Sequence, residues 1–174
     1  MAKALGTLTL LSNGIPMLFM GHEYGETIPF YFDITNSYLN PQQYDLAAAS
    51  ATDNTRILAW FRQIMGLRND PTKGLQGDSN YQSVQIGNRT VAFTCGTGGS
   101  LFTVVTFGTP NQQQNSAWLG LPPGCSYKEI FNSSWPAFQV ELESEHTNGG
   151  YMANIQSGQL LQLPYIGALV LERK

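Results

Sequence analysis

From Tyr81 to the end of this 174-residue chain, apolar and polar residues alternate in short stretches broken by turn residues, and that rhythm limits the fold more than any other feature. "YQSVQIGNRTVAFTCG" alternates on both sides of Gly87-Asn88, a pair that suits the positive φ of a tight hairpin. "SLFTVVTFG", "SAWLGL", "CSYKEIF", "FQVELES", "GQLLQLP" and "YIGALVLER" follow at intervals typical of two packed sheets. Seven or eight such segments in about 95 residues predict a mainly β unit, an antiparallel β-sandwich. "TPNQQQNS" reads as a polar, hairpin-like loop within it.

The period changes near residue 75, which divides the chain into 1–75 and 76–174. Leu5, Leu8 and Leu11 follow helical spacing in a short opening segment that Asn13-Gly14 would end. The apolar run from Ile15 to Met20 has the length of a strand and no alternation, as in a strand buried on both faces of a parallel sheet. Pro16 is tolerable at its start. Gly25 to Ser50 is an aromatic, irregular loop segment. The clearest helix spans about 53–68. Asp53 or Thr52 would cap it, and it stops before Asn69-Asp70-Pro71. Ile57, Leu58, Trp60, Phe61, Ile64, Met65 and Leu67 give it an apolar face so broad that both sides need covering. A single strand makes no parallel sheet. Its exposed apolar face is therefore expected to pack on the sandwich or on a second copy of the chain, through Met17, Phe19, Phe61 and Met65.

Composition narrows the function. Charged residues are only 12% of the chain, and the net charge of -3 leaves no basic stripe for nucleic acid or for an anionic membrane. An export signal centred on residues 8–20 is excluded by the break at Ser12-Asn13-Gly14-Ile15-Pro16, which favours a cytoplasmic over a secreted protein. Cys95 and Cys125 lack metal-ligand spacing and read as buried free thiols, with a disulfide as the alternative; zinc is not expected. Glu141, Glu143 and Glu145 share one strand face by their period of two, a solvated face first and a calcium ligand set second. No cofactor and no metal is expected. Asn88-Arg89-Thr90 and Asn132-Ser133-Ser134 are N-glycosylation sequons, of consequence only in a glycosylating secretory pathway.

"LLSNGIPMLFMGHEYGE" with the "PFYF" and "DI" that follow resembles the helix, last barrel strand and adjoining loop of the α-amylase superfamily of glycoside hydrolases and transglycosidases. It is most like glycogen branching enzymes and maltooligosyltrehalose trehalohydrolases. "ILAWFRQIMGLRNDPTKGLQGD", with its Leu67-Arg68 pair, resembles the final barrel helix, and "LPPGCSYKEIFNSS" and "LQLPYIGALVLERK" resemble strands of the C-terminal β-sandwich. The resemblance implies that residues 1–75 are a helix-strand-helix remnant of a (β/α)8 barrel and 76–174 its sandwich domain.

Glycosidase chemistry of this type needs two carboxylic acids about 5 Å apart. The resemblance places both, and a further Asp, before Met1, so no catalytic residue is expected here and the chain alone is expected to be inactive. Past the end of the barrel strand, His22 would hydrogen-bond sugar hydroxyls, Glu23 would orient its neighbours and Tyr24 would stack on a pyranose. The alternative for Glu23 is a buried carboxylate holding loop backbone. Among the tryptophans, Trp60 and Trp118 read as core, whereas Trp135, with Tyr151, reads as a surface platform for glucan. Two functions fit: the C-terminal part of an α-glucan-acting enzyme, whose partner is the glucan, or an autonomous carbohydrate-binding or interaction module without catalysis.

Overall fold

A computed structural model describes residues 2–18, 21–26, 50–76, 81–87, 89–108, 117–118, 121, 124–138, 155–156, 160–161, 163 and 166–174. In chain order the elements are α1 (Ala2–Leu11), α2 (Thr52–Asn69), β1 (Gln82–Gly87), β2 (Thr90–Cys95), β3 (Leu101–Phe107), β4 (Ala117–Trp118), β5 (Ser126–Asn132), β6 (Ile155–Gln156), β7 (Leu160–Leu161) and β8 (Ile166–Arg173). Short 3-10 turns lie at Thr97–Gly99 and Pro136–Phe138. The expected mainly β class holds.

Six strands form one antiparallel sheet in the order β1-β2-β3-β8-β5-β6, and β4 pairs with β7 in a second, two-stranded sheet. Because side chains alternate across a strand, the central strands β2, β3 and β8 each feed two cores. Phe93, Leu101, Val105, Ala168 and Val170 point to one of them, and Ala92, Phe102, Val104, Leu169 and Leu171 to the other. A bulge between Glu129 and Phe131 re-phases β5, so Tyr127 and Phe131 serve opposite faces. Both faces are thus buried, which explains the near-continuous burial of β3 and β8.

The β1–β2 hairpin reverses one residue later than Gly87-Asn88 suggests. Gly87 pairs with Thr90, and Arg89 takes a φ of 59°. "FQVELES" beyond Phe138, with Glu141, Glu143 and Glu145, lies outside the described residues, and β6 is a strand that no alternation announced.

The helices cover the first face. Leu10 and Leu11 of α1 and Trp60 and Ile64 of α2 join the same core as the sheet residues just named, with Phe61 and Met65 packed against it. The broad apolar face of α2 is therefore met by α1 on one side and by the sandwich on another. Gly6 allows the helices to close: a Cβ there would lie 2.5 Å from Cη2 of Trp60.

Arg68 and Tyr81 cap the exposed carbonyls at the end of α1. The guanidinium donates to Leu10 O, to Ser12 O at 3.5 Å and to Gly14 O at 2.6 Å, and the phenol donates to Leu11 O at 2.7 Å. At the other end, Lys3 is buried and donates from Nζ to Ser133 O (3.0 Å) and Phe138 O (2.7 Å), pinning α1 to the turn after β5.

Two expectations for the first 75 residues differ from what is seen. α2 is preceded by Ala51 with no side-chain cap; Asp53 instead sits in the first turn, 3.7 Å from Arg56. Residues 15–18 form no ladder, and Ile15 and Met17 are 97% and 91% exposed, so Met17 is not buried against the sandwich. A strand forms only where a neighbour pairs with it, and residues 15–18 have no ladder partner among the described residues. Phe19 and Met20 lie outside the described residues.

Candidate functional site

The turn that follows, Gly21–Glu26, is built by its own backbone. Tyr24 N–H donates to Gly21 O at 3.2 Å and Glu26 N–H to the same oxygen at 2.9 Å. Gly21 has a φ of 87°, and a Cβ there would come within 2.4 Å of Glu26 Cβ, so the closure requires glycine on both counts.

Folded this way, the turn separates the three rim residues read from the sequence. His22 is exposed and Glu23 half-buried. Tyr24 is only 3% exposed, and its hydroxyl donates to Oε2 of Glu26 at 3.2 Å. Its ring is a wedge inside the turn, with no face turned outward for a pyranose to stack on. Glu26, one of the acidic residues of this segment, takes the orienting position expected of Glu23; its signal was its place five residues after Gly21, where a closed turn brings both ends together.

His22 and Glu26 stand on the edge of a groove of about 580 Å³ between α1 and α2, a volume within the small-molecule range. Leu5, Gly6 and Thr9 of α1 form one wall and Ile57, Trp60 and Phe61 of α2 another, with Met17 and Leu18 at the edge. An apolar aromatic wall under a few polar groups can hold and orient a ligand. The Glu26 carboxylate is engaged by Tyr24, and no cluster of three or more metal-ligating side chains occurs among the described residues.

The second region picked from sequence packs on the same core as α1 and α2, at the turn after β5. Trp135 is half-buried, donates from Nε1 to Glu129 Oε1 at 2.9 Å, and stacks on Phe138 with ring centroids 5.9 Å apart. Its polar edge faces inward. Tyr151, its expected partner, lies outside the described residues. Glu129 is fully buried in β5 and also accepts from Asn132 Nδ2 at 3.2 Å, a buried carboxylate that the alternating pattern of "SYKEIF" gave no reason to expect.

Cys95 and Cys125 are free and buried, one in each core, so the sheet itself separates them. Burial pushes the Cys95 thiol up from 9.0 to about 11, with a weak contact to Thr103 Oγ1 acting the other way. No described helix is long and apolar enough to cross a membrane.

No family model matches the sequence, and no curated protein is significantly similar to it. Solved structures do match. A pullulanase from Anoxybacillus sp. LM18-11, crystallised with maltotetraose, superposes with a TM-score of 0.57 at 19% identity, over 99% of this chain and 23% of that one. The likeness is one of fold. A candidate alpha amylase from Salmonella typhimurium gives 0.54 at 18% identity, over 98% of this chain and 30% of its own. The chain thus spans less than a third of the length of either structure, and both belong to the superfamily that the Gly14–Glu26 motif resembles.

Proposed function

We propose that the chain is the C-terminal part of an α-glucan-acting glycoside hydrolase or transglycosidase of the α-amylase superfamily, of the amylase or 1,4-α-glucan branching type. It contributes the sandwich, the helix pair packed on it and one edge of a glucan pocket. The observation that carries this reading is the match of nearly the whole chain to part of a pullulanase and part of an alpha amylase structure. The motif "GIPMLFMGHEYGE" supports it independently, because its closed Gly21–Glu26 turn sets His22 and Glu26 at the mouth of a groove.

The residues present bind and position. His22 offers imidazole nitrogens to sugar hydroxyls, Glu23 lies beside it on the turn, and Tyr24 holds Glu26 in place. The carboxylic acids that protonate the glycosidic oxygen and attack the anomeric carbon belong to the remainder of such an enzyme. A surface glucan platform at Trp135 has less support, because its indole N–H is committed to Glu129 and one ring face to Phe138.

Two measurements test the reading together. Incubated with pullulan, amylose or amylopectin, the 174-residue chain is expected to release no reducing ends and to form no new branches. The reading frame upstream of codon 1 is expected to encode the superfamily's "D-x-x-x-N-H" and "G-x-x-x-D" motifs and a glutamate-bearing strand. Turnover by the chain alone, or an upstream sequence without those motifs, refutes the proposal.

A further inference from the structure

The sequon Asn132-Ser133-Ser134 plays no part in the glucan reading, and the fold gives it an unusual setting. N-glycosylation acceptors belong to surface loops, because the glycan is bulky and its hydroxyls need water. Asn132 instead closes β5, paired with Leu169 of β8, and is 0% exposed.

Each residue of the sequon is held. Asn132 Nδ2 donates to Oε1 of the buried Glu129 at 3.2 Å, and its Oδ1 accepts from Ser134 N–H at 2.8 Å. Ser133 N–H donates to Ala168 O at 2.9 Å, and Ser133 Oγ accepts from Ala168 N–H at 2.8 Å. The third residue is followed directly by Trp135, whose indole occupies the same Glu129 oxygen as Asn132. The nitrogen that a glycan would take is therefore inside the sheet, facing a carboxylate, with its backbone locked to β8.

In N-glycosylation, Asn Nδ2 gives up one proton and bonds to C1 of a sugar, while the C1–O bond to a lipid-linked pyrophosphate breaks and the lipid pyrophosphate leaves with the bonding electrons. We infer that Asn132 is a cryptic acceptor, offered by the unfolded chain and withdrawn by the folded one, and that a glycan on its Nδ2 bars β5 from closing on β8. The first sugar ring has no volume to occupy beside Glu129, and burying its hydroxyls there leaves them unpaired. The native protein accordingly carries a bare Asn132.

The test compares two acceptors. The peptide spanning residues 126–138 and the folded 174-residue chain are each incubated with an oligosaccharyltransferase and a lipid-linked oligosaccharide, and occupancy at Asn132 is read by mass spectrometry. The peptide is expected to be modified and the folded chain to react at least about a thousandfold more slowly, in proportion to the small population in which a core strand is open. Comparable rates overturn the inference, and an unmodified peptide overturns the role given to the fold. In material secreted from a glycosylating cell, glycan at Asn132 is expected only in aggregated chains; a soluble, monodisperse fraction carrying it overturns the claim that the modification bars folding.

Discussion

Replacing Gly6 with alanine sets two effects of opposite sign against each other, and the packing of α1 on α2 decides which wins. In an isolated helix the change stabilises by about 1 kcal/mol, because glycine loses more backbone freedom on folding. In this protein the added methyl meets Trp60 at 2.5 Å from Cη2, 3.1 Å from Cζ2 and 3.5 Å from Cζ3. The nearest contact is about 1 Å short of ordinary carbon separation. Trp60 is a rigid, buried ring in a core shared with Ile64 and Leu10, so it cannot swing aside. Overpacking of this kind costs about 1–3 kcal/mol, here toward the upper end. The expected net effect of Gly6→Ala is a destabilisation of about 1–2 kcal/mol, seen as a melting temperature lowered by roughly 4 °C.

Trp60→Phe supplies the control. It withdraws all three contacting atoms and breaks no hydrogen bond, since the indole N–H has no partner among the described residues. In that background Gly6→Ala should raise stability by about 1 kcal/mol, giving a coupling of about 2–3 kcal/mol in urea denaturation. A Gly6→Ala variant more stable than the parent, or a coupling under about 0.5 kcal/mol, refutes the close approach of the two helices.

Arg68→Ala removes the donors on Leu10 O, Ser12 O and Gly14 O and should cost about 1–3 kcal/mol by chemical denaturation, with Arg68→Lys recovering less than half because a single ammonium cannot span three carbonyls; a loss within experimental error would show that the cap is idle. Cys95 provides a pH test. Its folded pKa of about 11 lies above the ordinary 9.0, so between those values the unfolded chain releases a proton that the folded chain keeps. Stability from this group is therefore complete below pH 9 and falls as pH rises toward 11, at up to about 1.4 kcal/mol per pH unit. The slope should be shallower in Cys95→Ala, and equal slopes in the two proteins would contradict burial of the thiol.

Much of the sheet was legible because β-branched and aromatic alternation is a local signal: β1, β2, β3, β5 and β8 fall where "YQSVQIG", "TVAFTC", "LFTVVTF", "SYKEIFN" and "IGALVLER" place them. The hairpin reversal was misplaced by one residue because Arg89 adopts a positive φ that its side chain does not advertise. The covering of one sheet face by α1 and α2 was visible only as a demand, in the excess apolar width of α2, and nothing local said which surface would meet it. The run from Ile15 shows the limit of local reading from the other side, since its apolarity suits a strand while residues 15–18 find no neighbour to pair with. At the candidate site, "GHEYGE" announced a turn with polar residues. That Tyr24 would point inward and Glu26 would face the groove depends on the 21-to-26 closure, a property of backbone hydrogen bonds rather than residue type.

The strand order β1-β2-β3-β8-β5-β6 has a consequence for how the chain is made. β8 stands between β3 and β5 and, among the described residues, links the early hairpin to the strands that follow it. A ribosome therefore releases β3 and β5 well before the strand that joins them, and each presents an open edge while it waits. Assembly of the sheet is a late event governed by closure of the loop of 58 residues that separates Phe107 from Ile166. An error in the final dozen residues would leave two incomplete ribbons, whatever the quality of everything synthesised before it.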